Sequence, residues 1–344
     1  MFSKELLAWH DVHARDLPWR GERDPYKIWI SEIMLQQTTT QTVKGYYARF
    51  LAAFPTVRAL ADAPEEDVLK LWEGLGYYSR ARNLQKAARI VAREMDGRLP
   101  DTAEALKKLP GIGDYTAGAI ASMAFDRPEL AMDGNLTRVL ARLTAEDGCV
   151  GDAAVRKRLR AAGGALIDPD RPGDFNQAMM GLGRLVCLPG SPKCGECPVS
   201  GRCAAHARGV EKELPVMPPK IEKKTERRGV ALVLCGGRVL VRRRPADALL
   251  GGLWEFPNFR DAMDVSSLAE CLAELGVAAR GGRRLLSASH VFTHLVWKME
   301  GFLFAADALP EGESLRAVDG AGLSALPMPT AMRAFREKAA KLLQ

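Results

Sequence analysis

The chain has 344 residues, 47% of them hydrophobic and 26% charged, with a formal net charge of +7. That length is enough for two domains of ordinary size, each with its own apolar core. No apolar run approaches the ~18 residues a membrane helix needs, and MFSKELLAWHDVHARD lacks the sections of a secretory signal. A membrane protein is excluded, a cytoplasmic one is expected (nucleoid-associated if bacterial), and the positive charge favours a polyanionic partner.

From residue 1 to about 207 the sequence reads as helix after helix. Segments such as EEDVLKLWEGL and RNLQKAARIVAREM carry apolar residues at three- and four-residue spacing. Glu32 lies in YKIWISEIMLQQTTTQTV, flanked by Trp29, Ile30, Ile33 and Met34. Periodicity alone makes it an exposed helix-surface glutamate. An apolar setting would instead raise its carboxyl pKa enough to retain a proton near neutrality.

In LKKLPGIGDYTAGAIASMAF a helix ends near Leu109, Pro110 to Gly113 make a tight turn, and a second helix begins at Asp114 or Tyr115. Gly111 and Gly113 permit close backbone approach, and amides freed there would bind a phosphate without base preference. A plain glycine turn between packed helices is the simpler reading of an isolated G-x-G. Further on, Asp133 precedes a helix in ELAMDGNLTRVLAR, where its ordinary role is an N-cap.

Four of the seven cysteines cluster at Cys187, Cys194, Cys197 and Cys203, separated by six, two and five residues in a Pro/Gly-broken loop. Four thiolates suit either Zn²⁺ or a [4Fe–4S] cluster, and ligand chemistry alone leaves both open. Zinc ribbons usually use two Cys-x-x-Cys pairs, and one is present here. Cys149, Cys235 and Cys271 are scattered and read as inert core thiols.

Residues 208–228, rich in Pro, Lys and Glu, have linker composition. Beyond them GVALVLCGGRVLVRRR reads as two strands around a Cys-Gly-Gly turn, VSSLAECLAELGV as a helix, and HVFTHLVWKMEGFLF as further strand. The expected fold is multi-domain. An all-α domain spans 1–207, with a helical hairpin at about 105–125 and a cysteine loop at 187–203. A linker follows at 208–228 and an α+β domain at 229–344.

The cysteine spacing resembles the cluster loop of the endonuclease III and MutY glycosylases, where it holds [4Fe–4S]. LPGIG with its following helix resembles a helix-hairpin-helix element. WISEIMLQQT, GLGYYSRARNL, LPGIGDYTAGAI, MDGNLTRVLAR and FNQAMMGLG together resemble MutY adenine glycosylases over nearly the whole chain. That resemblance implies removal of adenine mispaired with 8-oxoguanine or guanine in duplex DNA by a monomeric enzyme. Glu32 would be the general acid at adenine N7, later positioning the attacking water. Asp133 would stabilise the oxocarbenium-like sugar, with Asn135 and Tyr115 assisting.

Bifunctional relatives carry a lysine just after the hairpin. A phenol at Tyr115 cannot form their Schiff base, so the resemblance implies a monofunctional enzyme that leaves an abasic site. It also places Gln37 and Tyr77 beside the guanine lesion, with Leu35 and Gln36 close by, and Trp19, Arg20 and Gln177 in the adenine pocket. The C-terminal domain resembles a Nudix-like domain, with Phe292, Thr293 and His294 at the 8-oxoguanine contact positions and Thr293 where serine is common. It lacks the glutamate-rich helix of a Nudix hydrolase, so hydrolysis there is not expected. The competing readings are a bifunctional endonuclease III-type lyase, a non-catalytic iron–sulfur DNA-binding module, and a Nudix hydrolase with a DNA-binding appendage. Tyr115, the pairing of Glu32 with Asp133, and the missing metal-binding helix count against them in turn.

Overall fold

The computed structural model describes residues 1–14, 16–219 and 222–344, so Lys220 and Ile221 of the expected linker lie outside the described residues. Two compact units result: Met1–Asp62 with Asn83–Pro219, and Ala63–Arg82 with Lys220–Gln344. The linear reading divides the chain once, at residues 208–228. Packing instead assigns the twenty-residue stretch 63–82 to the same unit as the C-terminal part.

The first unit is helical, as expected. It contains α1 (Phe2–His13), α2 (Pro25–Leu35), α3 (Thr40–Ala53) and α4 (Val57–Asp62). α5 (Glu65–Leu71) falls in the other unit, and the division between units lies inside α6 (Ser79–Glu94). The first unit resumes with α7 (Ala103–Leu106), α8 (Asp114–Phe125), α9 (Gly134–Thr144), α10 (Ala153–Gly164), α11 (Pro172–Leu185) and α12 (Ala204–Arg208). Leu136, Leu140, Phe175, Met179 and Leu182 of α9 and α11 meet Leu6 and Leu7 of α1 in one core.

α2 is apolar nearly all round. Its sequence PYKIWISEIML buries every position from Ile28 to Met34, as a helix lacking a polar face should. Asp24 starts it as N-cap, accepting from the Tyr26 amide, with Pro25 in the first turn. The first helix of the hairpin is shorter than expected. It ends at Leu106, and turns carry the chain on to the Gly113 N-cap of α8.

In the second unit β1 (Lys224–Cys235) and β2 (Arg238–Arg243) form the expected hairpin, and α13 (Val265–Glu274) is the expected helix. Added to them are β3 (Trp254–Glu255), β4 (Asn258–Arg260), β5 (Arg280–Val291), β6 (Leu295–Ala305), β7 (Leu315–Val318), α14 (Gly320–Ala325) and α15 (Arg333–Leu342). Among the described residues the strands join one mixed sheet in the order β3-β2-β1-β6-β5, with β4 also on β1 and β7 on β2. β1 runs parallel to β6 with Val230 opposite Gly301.

Both sheet faces are covered, which explains why GVALVLC reads as a continuous apolar run. Val230 and Leu232 pack with Trp254, Trp297 and Phe335 on one face, and Ala231 and Val233 with Leu268, Leu272 and Phe304 on the other. HVFTHLVWKMEGFLF is not one strand. β5 ends at Val291 and β6 begins at Leu295, so Phe292, Thr293 and His294 form the tip of an antiparallel hairpin.

The stretch 63–82 is fastened to this unit by polar contacts. Trp254 Nε1 donates to Glu66 at 2.6 Å, Lys70 Nζ donates to the Ser324 carbonyl at 2.7 Å, and Arg336 pairs with Glu73. Trp72 is fully buried.

Close packing in the first unit rests in part on small residues, Gly118 among them. A Cβ on Gly118 of α8 would lie 2.2 Å from the Leu130 carbonyl oxygen, a backbone atom leading into Asp133. Gly118→Ala should therefore lower stability by about 1–3 kcal/mol, the usual cost of overpacking. A thermal melt coinciding with that of the wild type would contradict this.

Candidate active site and thiol loop

α2, α8 and α11 of the first unit enclose a cavity of about 90 Å³. Its lining includes Trp19, Arg20, Glu32, Leu35, Tyr115, Gln177 and Met180. Six of these are residues singled out in the sequence, brought together from positions 19 to 177. Glu32 is only 5% exposed, so the surface-glutamate alternative fails. Its Oε2 accepts a short hydrogen bond from the Tyr115 hydroxyl, and that hydroxyl also lies 3.9 Å from Met180 Sδ.

Burial pushes the Glu32 carboxyl up to about 7. The Tyr115 hydrogen bond opposes that rise, the charge of Asp133 adds to it, and Arg20 opposes it again. Tyr115 is driven well above the ordinary phenol range by burial and then by Glu32. Near neutrality the pair therefore holds a phenol and a carboxyl group that is partly protonated. Arg20 has a depressed pKa, chiefly from burial, and its Nε and Nη1 are buried with no protein partner among the described residues. Donors of this kind in a small cavity suit acceptor atoms of a ligand.

Asp133 caps α9, as its sequence position implies. Its Oδ1 accepts from the Leu136 amide at 2.7 Å and its Oδ2 from Asn135 Nδ2 at 2.8 Å. Asn135 Oδ1 in turn accepts from Arg138 Nη2 at 2.9 Å, and Arg138 Nε donates to the Cys187 carbonyl at 2.9 Å. Sequence reasoning missed Arg138 and Arg142. Their signal was available, because 135, 138 and 142 share one helix face.

Arg142, 2% exposed, donates through Nη1 to Cys187 Sγ at 3.2 Å. Cys187, Cys194, Cys197 and Cys203 line one small cavity with Arg142, His206 and Glu211. Burial pushes the Cys197 thiol up to about 11, so its thiolate needs a cation beside it. Among the described residues the ligand atoms close enough for a single ion, all within 4.8 Å of one another, belong to Cys194, His206 and Glu211. Cys187, Cys197 and Cys203 are not part of that group.

At the hairpin, Gly111 has φ +78°, and a Cβ there would meet Asn83 Cβ at 2.7 Å. Glycine is needed twice over. Gly113 has an ordinary φ of −93° and open space where a Cβ would point, so nothing inside the fold demands glycine there. Asp114, at the start of α8, is paired with Lys107 at 3.1 Å and Arg160 at 3.4 Å.

The remaining predicted residues divide by unit. Gln36 donates to Thr116 Oγ1 at 3.1 Å, whereas Gln37 is exposed at φ 56°. In the second unit Tyr77, 46% exposed at φ 48°, has its hydroxyl 3.0 Å from Thr293 Oγ1. Phe292 packs edge-on against His290 and Trp297, leaving Thr293 and His294 as the exposed part of the tip. Glu255, fully buried, is engaged by Arg242 and Arg244.

Three family descriptions match the chain: "HhH-GPD superfamily base excision DNA repair protein" over residues 30–162, "Iron-sulfur binding domain of endonuclease III" over 187–203, and "NUDIX domain" over 229–338. An adenine DNA glycosylase of Mus musculus is 37% identical over 90% of this chain and 71% of its own length. The chain belongs to the adenine DNA glycosylase family. A Rattus norvegicus member is 41% identical over 75% of this chain, which spans 60% of that relative's length. Among solved structures, a non-covalent endonuclease III–DNA complex superposes with a TM-score of 0.52 at 26% identity, covering 61% of this chain and 95% of that one. The endonuclease III-like matches thus include Glu32, Tyr115 and the four cysteines of the helical unit. No helix among the described residues is long and apolar enough to cross a membrane.

The raised carboxyl has a thermodynamic sign. Because the folded state holds the Glu32 proton up to about 7 while the unfolded chain releases it near 4.5, folding stability falls as pH rises through that window. Glu32→Gln removes the cost of burying a carboxylate. It should stabilise the protein at pH 8 by on the order of 1–3 kcal/mol and have little effect at pH 4.5. Equal effects at both pH values in denaturant titrations would show that Glu32 is not the group responsible.

Proposed function

We propose that the protein is a monofunctional adenine DNA glycosylase acting on adenine opposite 8-oxoguanine or guanine in duplex DNA. The observation that carries this reading is the buried Glu32–Tyr115 pair, with a carboxyl raised to about 7 in a cavity close to Asp133. Cleaving an N-glycosidic bond needs an acid for the leaving base and a negative charge beside a cationic sugar. Glu32 supplies the proton to adenine N7, and its conjugate base then orients water towards the sugar. Asp133, fixed by the Asn135 and Leu136 donors, stabilises the oxocarbenium-like state. Tyr115 aligns Glu32 and offers no amine for a Schiff base, so the strand is left uncut.

Trp19, Arg20 and Gln177 receive the flipped base, the partnerless Arg20 donors facing its acceptor nitrogens. Gly111 and Gly113 bring backbone amides to a phosphate at the start of α8, and the open side of Gly113 gives that phosphate room. Leu35, Gln36 and Gln37 lie at the end of α2, where the vacated stack is filled, Gln36 bracing the turn and Gln37 reaching out.

Cys187, Cys194, Cys197 and Cys203 hold a [4Fe–4S] cluster, with Arg142 hydrogen-bonded to the Cys187 sulfur. When bound, the cluster contributes iron–thiolate bonds that tie the loop to the end of α11. In the second unit Thr293 and His294 read the oxidised guanine, with Tyr77 holding the Thr293 hydroxyl. The enzyme works as a monomer, in the cytoplasm or at the nucleoid.

Glu32→Gln and Asp133→Asn should each retain duplex binding and lose adenine release in single-turnover assays, by 10²-fold or more as for loss of a general acid. Near-wild-type release by Glu32→Gln would reject the mechanism. Thr293→Ala should separate the two opposite bases. The preference for 8-oxoguanine over guanine should fall by about 1–3 kcal/mol, the worth of one good base-edge contact. An equal slowing on both duplexes would make the hairpin tip a general DNA clamp.

A further inference from the structure

Beside the four cysteines stand two side chains that the iron–sulfur reading leaves unused. His206 lies in α12, three residues beyond Cys203, and Glu211 lies in the turns that follow. Glu211 Oε1 is 3.9 Å from Cys194 Sγ and 3.5 Å from His206 Nδ1. The ligand atoms of all three are mutually within 4.8 Å. Glu211 Oε2 is buried with no partner among the described residues, and its side chain lines the thiol cavity together with His206.

A tetrahedral ion bound at ~2.0–2.3 Å separates neighbouring ligand atoms by about 3.3–3.8 Å. Two of the observed separations are already at that spacing or within a fraction of an ångström of it. A thiolate, an imidazole and a carboxylate are the donor types that zinc accepts together, and three protein ligands leave a fourth position for water. Cys197 and Cys203 belong to the same cavity, yet neither joins this tight group. The trio is therefore spaced for a single ion, and its donor types differ from those of the four-sulfur arrangement.

We propose that Cys194, His206 and Glu211 form a binding site for one zinc-type divalent cation that overlaps the iron–sulfur loop and shares Cys194 with it. Sharing a sulfur makes the two occupancies mutually exclusive. A chain that has captured zinc at this corner lacks one of the four thiolates the cluster needs, so the ratio of available zinc to iron decides how the loop is loaded. Binding is simple coordination: Cys194 gives up its thiol proton to solvent and the cation replaces it, with no change of oxidation state. The zinc site stands on the geometry of the trio; its exclusion of the cluster rests on the iron–sulfur reading given above.

The test uses the full-length chain expressed at graded zinc-to-iron ratios, with both metals quantified per chain after purification. Zinc should rise towards one per chain as iron falls from about four, the count expected for Cys₄ ligation of [4Fe–4S]. His206→Ala and Glu211→Gln should each lower zinc occupancy at least tenfold in zinc-rich medium, while loading iron and the brown absorbance of the cluster in iron-rich medium. Cobalt supplied in place of zinc should give a thiolate charge-transfer band in the wild type that both variants lose. Zinc retained at wild-type level in both variants, or no zinc at any medium ratio, would overturn the site. Zinc and a full complement of iron on the same chain would overturn the exclusivity. Failure of the four-sulfur reading is distinguishable, since iron would then be absent from the wild type in every medium.

Discussion

Placing a carboxyl group where water cannot reach it is unfavourable unless the group stays protonated or finds a partner, and Glu32 does both. It sits on a helix buried along its length, under the hydroxyl of Tyr115, and keeps its proton into the neutral range. The close approach of α2, α8 and α11 builds that environment. Gly118 lets α8 come against the chain at Leu130, and the same chain continues to Asp133. The apolar packing and the acid–base asymmetry are thus one design: the core of the helical unit sets the state of the residue on which the chemistry depends.

Asp133 shows how a structural role and a chemical one coexist. As an N-cap it accepts two hydrogen bonds, which fixes its direction. The Asn135–Arg138–Cys187 chain continues that fixation to the start of the thiol loop. Arg142 reaches the same loop one turn further along, from the same helix face. Disorder in the loop would therefore be felt at the cap through a short run of ordered polar side chains.

Much of this was legible in the sequence, for local reasons. The helices follow from apolar spacing, the cap from Asp133 preceding an amphipathic run, the β1–β2 hairpin from Cys-Gly-Gly, and the thiol loop from four spaced cysteines. Burial of Glu32 was ambiguous, because periodicity ranks a single glutamate in a helix as exposed. The clue was that α2 offers no polar face for it to share. The hairpin tip at 292–294 was read as strand, since Phe, Thr and His have strand-like character and no glycine or proline marks the turn. His206 and Glu211 left no signal, as neither falls in the Cys spacing. The grouping of 63–82 with the C-terminal part was equally hidden, because it depends on partners such as Ser324 and Arg336 about 250 residues away.

That last feature reaches into how the chain is made. During synthesis residues 63–82 leave the ribosome long before Trp254, Thr293, Ser324 and Arg336 exist to receive them, so the polar contacts of Glu66, Tyr77, Lys70 and Glu73 with those residues form late. Contacts of such long sequence separation form slowly, and meanwhile an apolar stretch is open to chaperones and to association with other chains. The second unit is therefore not a contiguous tail: it is complete only with a segment translated near the beginning.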